Sequence, residues 1–319
     1  MESYIVYLMA RFALSSIRLL PRAGAIRVLD VLASLSYWFD PLHRSTCLVN
    51  LSIAFPELST RKHHEIARKS FQNTARNLLE VSHLCSLTHE NIGSLVTYDE
   101  HFGLNHYAQA VARGKGILYL TGHFSAWELL PAAHALHGHP LSFVTRPLDN
   151  APLEAYLHKA RESPGNQVIY KKNSIRKMLE KLKAGGGVGI LMDQNTNPQE
   201  GIFAEFFGFP ALTSTSIALL ALRTDATVLP GYLSPRQGGR YAIRFLSPVE
   251  LIRTGDTAHD IAVNTHKFNE ILEGIIREQP ETWLWGHRRW SYHPPGSPDL
   301  YLLSPVELAA LVAAKSKAS

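Results

Sequence analysis

A histidine and a carboxylate stand close together after one buried apolar run of this sequence. His123 follows Gly122 at the end of the run from Gly116 to Thr121, and Glu128 comes five residues later. Five residues on one helix are about 140° apart, so His123 must fold back from a loop to meet Glu128 on the first helical turn. Glu128 could then accept the Nδ1 proton, which would leave Nε2 to take a proton from an attacking hydroxyl.

The same pair has a simpler interpretation as a loop histidine beside a capping glutamate. Ser125 and Glu128 have the spacing of a capping box, which would begin a helix just after the histidine. Pro131 predicts a kink in that helix or a later start. The position of His123 favours a site, because open α/β sheets bind ligands at the carboxyl ends of their strands.

A second acidic group ends another apolar run. Asp193 and Gln194 follow the run from Gly189 to Met192, and in a parallel sheet they would share an edge with His123. Alternatively, Asp193 caps the turn that follows. The four phenylalanines between 203 and 209 fit either core packing or an acyl-chain pocket, and this choice stays open.

Apolar runs alternate with amphipathic stretches through most of the chain, which predicts a mixed, largely parallel α/β sheet flanked by helices. The first 95 residues are predicted to be a helical portion, and residues 96–319 an α/β domain continuous with it. The predicted strands are 116–121, 141–145, 167–170, 188–192, 227–233 and 241–246, the last two forming an antiparallel hairpin. The predicted helices include 61–84, 153–161, 174–184, 214–223 and 260–278.

Composition narrows the classes of function. With 32 basic and 27 acidic residues the net charge is +5, which suits anionic substrates or an anionic membrane surface better than nucleic acid. Two cysteines and no CxxC pair argue against a disulfide scaffold or a thiolate metal site, and we expect no metal or cofactor. The stretch from Tyr4 to Leu20, broken by Arg11 and Arg18, fits an interfacial membrane helix or a helix docked on the domain.

Several ordered motifs together resemble the bacterial lipid A biosynthesis acyltransferases, a family that includes phosphatidylinositol mannoside acyltransferases. The resemblance spans most of the chain. It is carried by Asn50-Leu51 with Ala54-Phe55-Pro56-Glu57, by Phe71 to Arg76 with Glu80, by His123 to Glu128 as an HX4(D/E) motif, by Arg146-Pro147 with Asp149-Asn150, by Arg161, by Asp193-Gln194, by Phe206-Phe207-Gly208, and by Trp285 to Trp290. Asn195 stands where some lipid A enzymes carry a second acid.

This resemblance implies a glycerolipid-acyltransferase-like fold and transfer of an acyl group from a thioester to a glycolipid hydroxyl, a lipid A precursor above all. Acyl carrier protein, or coenzyme A, would carry the acyl group as co-substrate. It implies a place on the cytoplasmic face of the inner membrane, peripheral or anchored by the N-terminal helix. By position, His123 would be the general base and Glu128 its orienting acid. Supporting and substrate-binding roles would fall to Arg146, Arg161, Asp193, Gln194, Arg288 and Arg289.

Two other functions are compatible with the residues. A lipid hydrolase or thioesterase could use His123 and Glu128 to activate water. A catalytically silent lipid-binding protein could keep the fold alone. The main hypothesis, an acyltransferase, also has a variant in which the acceptor is another glycolipid.

Overall fold

The computed structural model describes residues 2–171 and 174–316, and its first part is helical. Five helices precede the first strand: α1 (Glu2–Arg18), α2 (Arg22–Phe39), α3 (Pro41–Ala54), α4 (Thr60–His83) and α5 (Ile92–Leu95). Side chains define two of the helix starts. Asp40 accepts a hydrogen bond from the amide of His43 before α3, and Ser59 accepts one from Lys62 before α4.

A seven-stranded sheet organises the rest of the chain. Its strands are β1 (Val96–Tyr98), β2 (Ile117–Thr121), β3 (Ser142–Thr145), β4 (Gln167–Tyr170), β5 (Gly187–Leu191), β8 (Thr227–Arg236) and β9 (Arg240–Phe245), in the order β1-β9-β8-β2-β5-β3-β4. Every neighbouring pair is parallel except the β8–β9 hairpin. The predicted mixed, largely parallel sheet is therefore confirmed.

Helices cover both faces of this sheet. They are α6 (Leu104–Ala112), α7 (Leu129–Leu136), α8 (Ala151–Glu162), α9 (Ser174–Lys183), α10 (Ser216–Thr224), α11 (Thr257–Glu278) and α12 (Pro305–Ser316). Strand side chains alternate between two hydrophobic clusters, because successive residues of a strand point to opposite faces. One cluster joins the sheet to α7, and the other joins it to α9, α10 and α11.

The four phenylalanines near residue 205 lie in a separate antiparallel hairpin, β6 (Gly201–Phe206) with β7 (Phe209–Ser214). Phe206, Phe207 and Phe209 are buried, and the ring of Phe206 contacts those of Trp283 and Trp290. Of the two interpretations left open by the sequence, the structure supports core packing.

Helix α1 packs against α4 and α8 but leaves many apolar side chains in solvent. Ile17 contacts a small cluster on α2 and α4, whereas Phe12 is 75% exposed. Together α1 and α2 expose Tyr4, Ile5, Val6, Leu8, Met9, Phe12, Val28, Val31, Leu32, Leu35, Trp38 and Phe39, which we call the apolar face. In the described part of the chain, no helix is both long and apolar enough to cross a membrane.

Candidate active site

The loops after β2 and β5 bring His123 and Asp193 together at one edge of the sheet. The two strands are adjacent and parallel, and Thr121 pairs with Leu191 at their carboxyl ends. Gly122 makes the approach of Asp193 possible, since a Cβ there would lie 2.9 Å from Cγ of Asp193. The expectation that Asp193 shares an edge with His123 is confirmed.

His123 and Asp193 form two hydrogen bonds. Nδ1 of His123 lies 2.9 Å from Oδ1 of Asp193, and the His123 amide donates to Oδ2 over 2.9 Å. The indole N–H of Trp283 also donates to Oδ2, at 2.7 Å. A buried carboxylate on Nδ1 favours the tautomer with the proton on that nitrogen. Nε2 has no hydrogen-bond partner among the described residues, and His123 lines a cavity.

The electrostatics keep Asp193 ionised. Asp193 is only 1% exposed, and burial alone would raise the pKa of its carboxyl group. The positive charge and the hydrogen bonds of His123, with the bond from Trp283, outweigh this effect and lower the pKa to about 2. Asp193 is therefore negatively charged at neutral pH and can stabilise a protonated imidazole.

The chain around Trp283 holds the His123 loop in place. The Ser125 amide donates to the carbonyl of Thr282 over 2.8 Å, and the Leu284 amide donates to the carbonyl of His123 over 3.1 Å. Ser125 has a φ of 51°, which a non-glycine residue rarely adopts. Sequence reasoning missed Trp283, although the tryptophan-rich segment that follows it was the signal available.

Glu128 has a different partner from the one expected. Its carboxylate accepts two hydrogen bonds from Arg161, at 2.9 Å from Nε and 2.6 Å from a terminal nitrogen. Burial opposes the charge of Arg161, but its hydrogen bonds to Glu128 and the charges of Glu128 and Glu154 raise its pKa. Because Asp193 occupies Nδ1 of His123, the structure corrects the sequence interpretation in which Glu128 orients the imidazole.

The local helix start explains this geometry. Helix α7 begins only at Leu129, so Glu128 is its N-cap residue and the predicted Ser125–Glu128 capping box does not form. The later start agrees with the expectation drawn from Pro131. Glu128 thus lies on the cavity wall beside α8, which carries Arg161.

A cavity of about 1430 Å³ opens at this edge of the sheet. His123, Glu128 and Arg161 line it with Arg146 and Gln194. Its apolar lining comes from both faces of the sheet and includes Leu130, Leu141, Phe143, Ile175, Met178, Leu179, Leu219 and Phe245. Basic side chains of Arg146, Lys171, Arg176 and Lys177 are also in the lining and are exposed. The arrangement suits a ligand with a long apolar part and an anionic head.

Two predicted substrate-binding arginines lie elsewhere. Arg289 is fully buried and donates to the carbonyl of Leu212 over 2.8 Å and to Oγ1 of Thr213 over 2.6 Å. Arg288 stacks on the ring of Tyr301, 4.5 Å from its centroid. Neither lines the cavity. The structure therefore assigns Arg289 to holding β7 against the core, which corrects its predicted role in binding substrate.

The fold and the site together define an α/β protein with a histidine at a strand end, beside a mainly apolar cavity of about 1430 Å³. The model of the bacterial lipid A biosynthesis acyltransferase family matches residues 1–292. The chain belongs to this family and is an acyltransferase, as the ordered motifs predicted.

Characterised relatives are distant but cover most of the chain. A lipid A biosynthesis lauroyltransferase of Escherichia coli K12 is 26% identical over 253 residues, 79% of this chain and 80% of the relative. A lipid A biosynthesis acyltransferase of Haemophilus influenzae is 23% identical over 76% of this chain and 74% of its own length. A palmitoleoyltransferase of E. coli K12 is 22% identical over 79% and 80%, respectively.

Proposed function

We propose that this enzyme transfers a fatty acyl group from an acyl thioester, carried by acyl carrier protein, to a hydroxyl of a lipid A precursor. The observation that carries the proposal is the His123–Asp193 pair with Nε2 unpartnered beside a large, mainly apolar cavity. The names of the relatives support lipid A as the acceptor class.

In the proposed reaction, Nε2 of His123 takes the proton of the acceptor hydroxyl as its oxygen attacks the thioester carbonyl. The imidazolium that forms is stabilised by the ionised Asp193. Collapse of the tetrahedral intermediate breaks the carbon–sulfur bond, and the thiolate leaves as a thiol with the proton from His123. The products are an ester and the free carrier thiol, and a positioned base contributes roughly 10²–10⁴-fold to such a step.

The remaining polar lining residues are proposed to bind the substrates. Glu128 holds the guanidinium of Arg161 at the cavity wall, and the Arg146 side chain is 77% exposed at the rim. Both arginines can bind phosphate oxygens, for which the guanidinium geometry is suited. We assign Gln194, which follows Asp193 directly, to hydrogen bonds with the polar acceptor group.

We further propose that the apolar face of α1 and α2 binds the cytoplasmic surface of the inner membrane. A group of large exposed apolar side chains of this size is typical of an interaction surface. Arg18 and Arg27 on the same helices would favour an anionic leaflet. Vesicle flotation tests this: Phe12→Ser with Trp38→Ser should weaken binding to anionic vesicles. Equal flotation of this double variant and the wild type would refute the assignment.

Mass spectrometry of a detergent-solubilised reaction tests the function itself. The wild type receives acyl carrier protein thioesters or acyl-coenzyme A, with or without a lipid A precursor. A gain of one acyl group on the acceptor supports transfer and identifies the donor. Free fatty acid formed equally well without acceptor would instead support a hydrolase. No turnover of any thioester would contradict both.

A further inference from the structure

The face of the sheet towards α7 carries glycines where strands usually carry side chains. Gly187 and Gly189 of β5 point to the same face, because they are two residues apart. Side chains of Tyr119, Leu141 and Phe143 surround them, and these belong to the cluster shared with α7. Glycine inside a strand often marks a place where another group approaches the backbone closely.

Aromatic rings cover two of the glycines on this face but not the third. A Cβ on Gly187 would lie 2.7 Å from Cε2 of Tyr119, and one on Gly231 of β8 would lie 2.6 Å from Cδ1 of Phe245. A Cβ on Gly189 would meet nothing nearer than Leu141 and Phe143, each at 3.5 Å. Only at Gly189, among these three, is there room for a methyl group.

Gly189 lines the cavity below the catalytic edge. It pairs with Tyr119 on β2, two residues below the Thr121–Leu191 pair that ends the strands. Two residues of a strand correspond to about 7 Å. Gly189, Tyr119, His134 and Phe245 all line the cavity, so it reaches at least this depth on the α7 face.

His134 lines the cavity with Tyr119 and Phe245, and both of its ring nitrogens have hydrogen-bond partners. Nδ1 of His134 lies 2.8 Å from the hydroxyl of Tyr98, and Nε2 lies 3.1 Å from that of Tyr119. The ring of Phe245 lies against His134, with centroids 5.3 Å apart. A group that reaches this point meets ring faces and aliphatic carbon, which suits the end of a hydrocarbon chain.

From this arrangement we propose that Gly189 sets the length of the acyl chain that the enzyme accepts. The chain runs from His123 down the α7 face, passes over Gly189 and ends against Tyr119, His134 and Phe245. Because Gly189 has no side chain, space remains beside β5 for the last carbons of the acyl chain to pass. This inference rests on the acyl transfer proposed above.

Competition among saturated acyl thioesters of graded length tests the proposal, with product masses as the readout. Gly189→Ala should discriminate against the longest accepted chain by roughly 10-fold or more, since one methylene in a filled pocket changes selectivity by about 10–200-fold. Gly189→Val should shift the distribution further, while shorter thioesters are still used. Leu179→Phe is the matched control, because it adds volume to the wall of the same cavity on the α9 side. The chain is proposed to run on the α7 face, so this change should not shift the chain-length distribution as the Gly189 variants do.

The outcomes separate this inference from the proposed function. A wild type that transfers no acyl group contradicts the function. An active wild type with the same chain-length distribution in both Gly189 variants overturns the inference alone, as does a shift produced by Leu179→Phe but not by Gly189→Val. Gly189 does not have a left-handed φ and an alanine Cβ fits there. The Gly189→Ala variant should therefore fold, and its thermal unfolding checks this.

Discussion

Nδ1 of His123 is 2.9 Å from Oδ1 of Asp193, a residue seventy positions away in the chain. Glu128, only five positions away, pairs instead with Arg161. Each of the two carboxylates thus binds a different nitrogen-bearing side chain that lines the cavity. Asp193 is buried beneath the imidazole, and Glu128 fixes a guanidinium on the wall.

Asp193→Asn should leave the fold intact and lower kcat by about 10²–10⁴-fold. Its single amide oxygen is needed by the two donors that now bind Oδ2, so its NH2 group would face Nδ1, favour the wrong imidazole tautomer and fail to stabilise the imidazolium. Steady-state kinetics with circular dichroism measures both quantities. Asp225→Asn, which changes a half-exposed acid outside the cavity lining in the same way, is the control and should keep the wild-type rate. A fully active Asp193→Asn enzyme would remove Asp193 from the mechanism.

Gly122→Ala should reduce activity towards the level of Asp193→Asn. The new Cβ would lie 2.9 Å from Cγ of Asp193 and 2.8 Å from the ring of Phe124, so the His123–Asp193 hydrogen bond must be displaced. Gly274→Ala in helix α11 is the matched control, since its Cβ would have no atom within 4 Å. Wild-type kcat in Gly122→Ala would contradict the tight approach.

Glu128→Ala should lower both the stability and the activity of the protein, because it leaves the largely buried Arg161 without the carboxylate of its ion pair. Breaking such a pair costs about 3–5 kcal/mol, whereas removing both partners costs less than the sum of the single changes. A double-mutant cycle of Glu128→Ala and Arg161→Ala, followed by urea unfolding, measures the coupling. Additive effects of the two changes would show that the pair is not coupled.

Arg289→Ala should lower the free energy of unfolding but leave KM unchanged. The guanidinium is completely buried, burial lowers its pKa to about 10, and its bonds fix Leu212 and Thr213 of β7. Leaving those acceptors unpaired costs about 1–3 kcal/mol in addition to the cavity. Measurements of thermal unfolding and of KM for the lipid acceptor distinguish a structural role of Arg289 from a binding role. A raised KM with unchanged stability would restore a binding role for Arg289.

Stability should rise with pH between about 3 and 6.5 because of His134. Burial, then the charges of His139 and His137, lower its pKa from 6.5 to about 3. In that window the unfolded chain binds a proton that the folded chain does not, which gives a slope of up to about 1.4 kcal/mol per pH unit. Urea unfolding at several pH values measures the slope. His134→Gln should reduce it and the exposed His101→Gln should not; equal slopes in all three proteins would contradict the assignment.

Local patterns in the sequence determined most of the sheet. The run 167–170 is a strand with the predicted bounds, and the hairpin of the last two strands is antiparallel as expected. Alternation of apolar runs with amphipathic stretches suffices for this, because strand and helix formation depend on residue types within a few positions. The same reasoning placed His123 at a strand end and Asp193 at the same edge, since parallel neighbouring strands end together.

Only the tertiary structure decided which groups meet at that edge. His123 pairs with Asp193 rather than with Glu128, Arg161 reaches Glu128 from another helix, and Trp283 completes the carboxylate's hydrogen bonds from a distant segment. Periodicity also could not distinguish the buried Arg289 from the cavity-lining Arg146. A side-chain hydrogen bond depends on distances of a few tenths of an ångström between segments far apart in the chain. Those distances follow from how the strands and helices pack together, which no local pattern of residue types records.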